Sequence, residues 1–201
     1  MDRKLWLSST KSILIGVKLY YICNLVAAVL GLSFLSLVPV IGPLGKMAAG
    51  ASVVGAFAFL YGIKEFKDAV HPADLPSVNK LHTSITLIIC GIFIKIIPVI
   101  GWIITPIIYF IASTFMLLAY RGLKNSTTMG YSAKNGAAKL YTAMILSCVA
   151  AIFSIIPLVG GVIAALLDIG VLVLVLGGWK LIAEEPVELF EPIEAFEYVE
   201  E

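Results

Sequence analysis

The chain has 201 residues, of which 60% are hydrophobic and 13% are charged, with a formal net charge of +1 and a mean hydropathy of +1.02. Water-soluble proteins carry about 25% charged residues, so this composition excludes a soluble globular domain. Only three cysteines are present, which excludes a disulfide-rich secreted scaffold. The composition therefore predicts an all-α integral membrane protein.

Long stretches without charged residues set the number of predicted helices. From Leu19 to Gly62 the chain runs for 44 residues with one lysine, and as a single helix it would be about 66 Å long, twice a hydrocarbon core of about 30 Å. This stretch must fold back. A Pro-x-x-Gly step stands near the middle of each long apolar block, beginning at Pro39, Pro98 and Pro157. Each step predicts the turn of a helical hairpin. The predicted spans are 19–38, 43–62, 81–97, 102–120, 140–156 and 161–178.

The three turns recur at a fixed interval. Pro39, Pro98 and Pro157 are 59 residues apart, as are the glycines that end the steps. A constant period is typical of tandem repeats, so we expect six transmembrane helices arranged as three tandem helical-hairpin repeats. The predicted membrane domain is 18–182, with repeats at 18–64, 80–124 and 139–182.

The third and fifth predicted spans have only 17 residues, about 25 Å of helix, which is short for a bilayer. Two interpretations are open: full crossing with little tilt, or a wedge-like hairpin that stops short of the far face. Both place every polar connector on one side of the membrane.

Basic residues are distributed unevenly along the chain. Twelve of the fourteen lie in or beside the N-terminal segment 1–17, the two connectors or the end of the last span, and only Lys46 and Lys95 lie toward the turns. This excess predicts cytoplasmic termini and connectors in the cytoplasmic membrane. Tyr61, Tyr120 and Trp179 stand 22 residues after the three prolines. Together with Tyr20 and Tyr141, we expect them to anchor the chain at that membrane interface.

Small residues on the predicted helices indicate close packing. Ala51 and Gly55 are four residues apart on the second span. In lipid, such pairs let helix backbones approach one another. The partner helix could belong to the same chain, to a second copy or to another membrane protein.

Residues 183–201 form an acidic tail. It holds eight of the thirteen acids and no basic residue, with large apolar side chains between the acids. A solvated cytoplasmic tail is one interpretation. The other is a short motif that docks a basic, grooved cytoplasmic protein. The residues expected to dock are Phe190, Glu191, Glu194 and Phe196.

Ionisable residues within the spans mark a candidate intramembrane polar site. Asp168 is the only acid in a span, and Lys46 and Lys95 lie nearer the turns. A charge at mid-membrane costs about 2.5 to 3.5 kcal/mol on insertion scales, so Asp168 should face the bundle. It would there be paired with a lysine or hydrogen-bonded as the neutral acid, or it would couple transport to a proton or an ion.

Motifs for catalysis are missing from the sequence. It contains no His-Glu-x-x-His, Gly-x-Ser-x-Gly or Cys-x-x-Cys. We therefore expect no enzyme, no catalytic residue, no cofactor and no metal site. The basic connector 121–139 is expected to lie on anionic lipid head groups rather than on nucleic acid.

The repeated apolar turn and the Tyr-x-Gly-x-Lys sequence at Tyr120–Lys124 resemble small prokaryotic multi-pass membrane proteins of unknown function built from tandem hairpins. The resemblance covers roughly residues 18–182 and implies no catalytic residues. Two functional hypotheses follow. The first is a non-enzymatic scaffold or accessory subunit whose tail docks a cytoplasmic partner; the second is a small transporter or channel with Asp168 as the coupling residue.

Overall fold

The computed structural model describes residues 3–30, 41–95, 97, 99–153 and 159–185. Within these ranges every regular element is an α-helix, as predicted. The helices are α1 (Arg3–Leu30), α2 (Ile41–Ala69), α3 (Leu75–Ile94), α4 (Ile100–Lys124), α5 (Tyr131–Phe153) and α6 (Val159–Ala183). All six are long and apolar enough to cross a membrane, which indicates a multi-pass membrane protein.

The helices extend beyond the predicted spans at the connector end of the bundle, the end that carries segments 70–74 and 125–130. Helix α1 begins at Arg3 rather than at residue 19, and α5 begins at Tyr131 rather than at residue 140. Charged residues end an apolar stretch but do not end a helix, because Lys, Arg and Glu are good helix formers. Residues 3–17 therefore belong to α1.

The two spans predicted to be short are of ordinary length. Helix α3 has 20 residues and α5 has 23, which correspond to about 30 Å and 35 Å of helix. Both can cross a hydrocarbon core of about 30 Å. The wedge-like hairpin was suggested by spans of 17 residues, and both helices in the structure are longer than this.

Several sequence predictions fall on positions outside the described ranges. They concern the turns at Pro39 and Pro157 and the tail residues Phe190, Glu191, Glu194 and Phe196. The second turn is described at Ile97 and from Val99 onward. There the Gly101 N–H donates to the Ile97 carbonyl oxygen at 2.8 Å, and a Cβ on Gly101 would overlap the carbonyl oxygen of Ile94. Only glycine allows this close approach.

The six helices form a closed ring. The most extensive packing joins α1 to α2, α3 to α4 and α5 to α6. Contacts of α2 with α3, of α4 with α5 and of α6 with α1 complete the circle. Neighbours in the chain are therefore neighbours in space, and the first helix closes against the last.

Helices α1 and α2 are antiparallel and touch through their backbones. A Cβ on Gly16 would overlap the backbone of Phe59, and a Cβ on Gly55 would overlap the backbone of Tyr20. The residue number rises from 16 to 20 along α1 while its partner falls from 59 to 55 along α2. The close contact predicted at Gly55 is thus made, within the same chain.

Aromatic side chains fill the core at the connector end. This aromatic cluster has T-shaped ring pairs with centroids 6.0 to 6.4 Å apart around Trp179, and a tilted pair at 4.8 Å between Trp6 and Phe66. Its members are Trp6, Phe59, Phe66, Tyr120 and Trp179. Tyr120 and Trp179 are only 1% and 0% exposed, so the prediction that they anchor the membrane interface is wrong. Their rings complete the core, where aromatic pairs gain from packing.

The outer surface of the ring is apolar. Large exposed side chains include Ile15, Ile107, Phe110, Leu166 and Val173. A soluble protein rarely exposes so continuous an apolar surface. In a membrane the same surface faces lipid, where it carries no penalty.

Two buried carboxyl groups make polar contacts at the connector end. The Thr128 hydroxyl donates to the carboxylate of Asp74, which joins the connectors, and Asp74 is buried. After α6, the buried Glu185 accepts a hydrogen bond from the Ala133 backbone N–H at 2.6 Å. A carboxylate at this place satisfies a free donor of the first turn of α5 and interacts favourably with its dipole.

Candidate functional site in the centre of the bundle

A cavity of about 470 Å³ lies inside the helix ring. Five helices line it: α1 with Tyr20, Tyr21 and Asn24; α2 with Ala49, Ser52, Val53, Ala56 and Phe59; α3 with Ile85, Ile88, Ile92 and Lys95; α4 with Tyr109, Ser113 and Met116; and α5 with Met144 and Ser147. Its volume is within the range of about 300 to 1,000 Å³ that is usual for small-molecule sites.

The depth of the cavity follows from the lining of α2. Ala49 and Phe59 lie eight and eighteen residues after the first residue of the helix, which places them about 12 Å and 27 Å along its axis. Phe59 belongs to the aromatic cluster. The cavity therefore reaches from the aromatic cluster toward the turn end, where Lys95 is located.

The cavity walls combine apolar surface with polar groups at membrane depth. The polar lining consists of Tyr20, Tyr21, Asn24, Ser52, Lys95, Tyr109, Ser113 and Ser147. The Ser52 hydroxyl donates to the Ala49 carbonyl oxygen at 2.7 Å. The Tyr20 hydroxyl bonds the Asn24 side chain and lies near the Tyr109 phenol. Polar groups in a membrane interior are expensive, so their convergence on one cavity marks a candidate binding site.

The spacing of residues on α1 explains why its polar groups enter the cavity. Trp6, Ile13 and Val17 are buried, and Tyr20 and Asn24 continue the same face toward the turn end. These positions recur every three, four or seven residues, which keeps them on one side of a helix. Toward the turn end this face thus carries the polar side chains Tyr20 and Asn24 into the cavity.

On α6, Asp168 lies on the helix face that also carries three buried apolar residues. Ala164, Val171 and Val175 are buried on this face, and the spacing of four and three residues places Asp168 between them. Its side chain is nevertheless exposed, and it does not line the central cavity. It lies close enough to Tyr21 on α1 for the two side chains to interact electrostatically.

The predicted pairing of Asp168 with a lysine is not observed. Among the described residues, an ion pair joins Lys180 to Glu184 at 3.6 Å on the surface, and none joins Asp168 to Lys46 or Lys95. Lys46 is exposed on the first turns of α2 and lines neither pocket. The structure therefore separates the three predicted site residues and brings only Lys95 to the cavity.

Lys95 ends α3 at the turn end of the bundle. Its backbone N–H bonds the Gly91 carbonyl oxygen at 3.0 Å, and its side chain is exposed. Val99, four residues later, has φ of 65° and ψ of −60°. This is the rare γ-turn conformation, which is strained for a β-branched residue. The tight turn brings the start of α4 next to Lys95.

Sequence reasoning missed most of the cavity residues. Lys95 was predicted, but Tyr20, Tyr21 and Tyr109 were not identified as site residues. One sequence feature could have identified the cavity residues of α1, namely the helical spacing that places Tyr20 and Asn24 on one face. In the described ranges, no group of three His, Cys, Asp or Glu side chains forms a metal site.

Comparison of the chain with protein-family models, with curated proteins and with solved structures finds no match.

Proposed function

We propose that the chain is a non-enzymatic membrane protein that binds a small solute in its central cavity and carries it across the cytoplasmic membrane. The observation that carries this proposal is the polar lining of a cavity at mid-depth in a ring of apolar helices. A bundle that served only to hold partners together would gain stability from an apolar core, because buried polar groups without a ligand are costly.

The two ends of the cavity support a carrier rather than an open pore. The aromatic cluster blocks the connector end, where Trp6, Tyr120 and Trp179 are almost wholly buried. Lys95 and Asn24 are exposed on the turn side. In alternating access, each end state of a carrier opens its binding site to one side of the membrane only. A cavity closed at the connector end and open at the turn end fits such a state.

The orientation in the membrane and the repeat are parts of the same proposal. The excess of basic residues at the connector end supports cytoplasmic connectors and termini. The cavity would then face the outside of the cell. The period of 59 residues supports an origin from three tandem hairpins, and the resemblance to small prokaryotic multi-pass proteins fits this architecture without supplying site residues.

Cysteine labelling tests whether the cavity is filled with water and open on the turn side. In a background that lacks Cys23, Cys90 and Cys148, Ser147→Cys should react with a small membrane-impermeant thiol reagent added outside intact cells. Ile145→Cys is the matched control, because Ile145 is on the same helix but 44% exposed on the apolar surface. It should not react. Equal protection of the two cysteines would contradict the proposal.

A solute screen tests binding directly. A ligand that binds only the folded state raises the unfolding temperature of the purified protein. We expect at least one class of small solute to do so, and we expect Ser52→Phe, which fills the cavity, to abolish the effect. Stabilisation that is unchanged in this variant would place the solute elsewhere.

The scaffold hypothesis remains a second proposal, supported by the position of Glu185. Its contact with Ala133 fixes the end of α6 at the connector end of the bundle, so the acidic tail starts beside the connectors. In this proposal the tail docks a cytoplasmic protein through Phe190 and Phe196, and the membrane domain assembles with a second copy or with another membrane protein. Truncation after Glu185 should abolish recovery of such a partner while leaving the bundle folded.

A further inference from the structure

Two side chains, Lys95 and Tyr109, are shared by the central cavity and by a second pocket. This second pocket, here called the α3–α4 groove, has a volume of about 450 Å³. The rest of its lining comes from Ile97, Val99, Gly101, Thr105 and Pro106. One cation and one phenol therefore stand at the junction between a polar cavity and an outer groove.

The α3–α4 groove is apolar and lies on the outside of the bundle. Ile97 is 48% exposed and Val99 is 73% exposed. Among the described residues that line the groove, only Tyr109 and Thr105 carry a hydroxyl, and the Thr105 hydroxyl is buried and directed at the Gly91 carbonyl oxygen at 3.5 Å. Apart from Lys95 and Tyr109, the described surface of the groove that remains open to lipid is therefore hydrocarbon.

Tyr109 forms part of the wall between the two pockets. Its ring lies against the backbone of α3 at Gly91, where a Cβ would come to 3.0 Å or less from two ring atoms. Gly91 thus allows the ring to reach α3 beside Lys95. The tight turn at Val99 closes the same region from the turn end.

Lys95 supplies a positive charge without a counter-charge in the described part of the chain. The described residues that line the two pockets include no acidic side chain, and the ion pair seen on the surface uses Lys180 instead. A lysine within reach of hydrocarbon is stabilised by an anion at its ammonium group. Electrostatics at the junction therefore favours an anionic head group.

We infer that this junction binds an anionic amphiphile of the bilayer, with its head group between Lys95 and the Tyr109 hydroxyl and its acyl chain in the α3–α4 groove. The inference rests on the proposed function, since the junction forms part of the wall of the central cavity, and it names the class of ligand. A freely soluble anion would use the cation but not the adjoining hydrocarbon groove. The groove opens toward lipid, so the ligand enters from the membrane.

Electron paramagnetic resonance of spin-labelled stearate tests this inference. The protein is placed in nanodiscs of zwitterionic phosphatidylcholine, and the motionally restricted fraction is compared for the acid and for its neutral methyl ester. We expect the parent to restrict the acid more strongly than the ester. The loss of a hydrogen bond to a charged group lowers affinity by about tenfold or more. Lys95→Gln should therefore weaken binding of the acid by at least this factor and leave the binding of the ester unchanged.

Two control variants distinguish the loss of the Lys95 charge from a loss of folding. Lys95→Arg retains the charge and should retain the preference for the acid. Lys46→Gln removes the other lysine near the turns, which lines neither pocket, and should behave as the parent. Equal restriction of acid and ester by the parent, or an unchanged preference in Lys95→Gln, would overturn the inference.

Inorganic phosphate separates a lipid ligand from a soluble anion. Phosphate alone should neither displace the spin-labelled acid at low millimolar concentration nor raise the unfolding temperature. Displacement would show that a soluble anion occupies the junction and would overturn the lipid assignment. If Ser147→Cys is labelled but the acid is not preferred, the proposed function survives without this inference. If the acid is preferred but Ser147→Cys is protected, the lipid site stands and the aqueous cavity fails.

Discussion

The indole N–H of Trp6 donates a hydrogen bond to the carbonyl oxygen of Ile182 at 3.0 Å, and this contact joins the first helix to the last. Both side chains are almost wholly buried. The bond lies where α6 ends and its carbonyl groups have no partner within the helix. It therefore closes the helix ring and satisfies one of these acceptors.

Replacing Trp6 should open this closure. Trp6→Phe keeps an aromatic ring against Phe66 but removes the donor, and hydrogen bonds in membrane proteins contribute about 0.6 kcal/mol on average and at most about 1.7. We expect a loss of unfolding free energy in this range in detergent. Leu7→Ala is the control, because Leu7 is 46% exposed on the outer surface. A Trp6→Phe variant as stable as the parent would show that the bond contributes nothing to closure.

Two glycines of α2 should respond oppositely to the same substitution. A Cβ on Gly55 would overlap the backbone of Tyr20, whereas a Cβ on Gly50 would meet nothing within 4 Å. Gly55→Ala should push α1 and α2 apart and lower the unfolding temperature. Gly50→Ala should raise the unfolding free energy by up to about 1 kcal/mol, because alanine is the better helix former. Equal effects would mean that α1 and α2 do not touch at Gly55.

The contrast between these glycines shows what sequence patterns can predict here. Pro-x-x-Gly steps and the lack of charge were enough to predict six helices, because helix length and turn chemistry are local properties. The small-residue pair at Gly55 also predicted close packing. Which helix would lie against it depends on the order of helices around the ring, and this order is set by contacts such as that of Trp6 with Ile182.

The cavity was less predictable for the same reason. Tyr20 and Tyr109 are 89 positions apart in the sequence, and nothing local indicates that both line one cavity. Asp168 was singled out because an acid in a span is costly, yet this cost says only that the residue should avoid lipid. The cost does not predict which residue, if any, Asp168 contacts inside the bundle.

The hydrogen bond between connectors can be tested at Thr128. Thr128→Val keeps the shape of the side chain but removes the donor to Asp74, a residue that is only 5% exposed. A buried acceptor without its partner costs about 1 to 3 kcal/mol, so we expect a loss of this size in unfolding free energy. Thr127→Val is the matched control, since Thr127 is exposed. Equal stability of the two variants would contradict a role for the contact.

Glu185 should make stability depend on pH. Burial raises the pKa of Glu185 from its ordinary value of 4.5, although the backbone N–H groups of Ala133 and Gly130 and the charge of Lys134 oppose the shift. The folded protein then holds this proton to higher pH than the unfolded chain does. The contribution of Glu185 is therefore fully present below about pH 4.5 and is lost as the pH rises through the raised pKa.

The variant Glu185→Gln cannot titrate and should remove this part of the pH dependence. Thermal unfolding of parent and variant is compared in detergent at a series of rising pH values that begins below the ordinary pKa of 4.5, because the difference develops as the pH rises through the raised pKa. The parent should lose stability relative to the variant as the pH rises. Glu184→Gln, which changes an exposed partner of Lys180, should follow the parent. Parallel pH profiles for parent and Glu185→Gln would refute the prediction.

A substitution at Asp168 tests whether its carboxylate stabilises the fold or has no partner in the bundle. No ion pair with Lys46 or Lys95 is present, and a charge within a span costs about 2.5 to 3.5 kcal/mol on insertion scales. Asp168→Asn keeps the shape and removes the charge, so we expect it to be at least as stable as the parent. Asp68→Asn, at an exposed position on α2, should leave stability unchanged. If Asp168→Asn instead unfolds at a much lower temperature, the carboxylate is held by a cation from outside this chain, because every Lys and Arg lies among the described residues. Size-exclusion chromatography of the variant would then show whether a second copy supplies it.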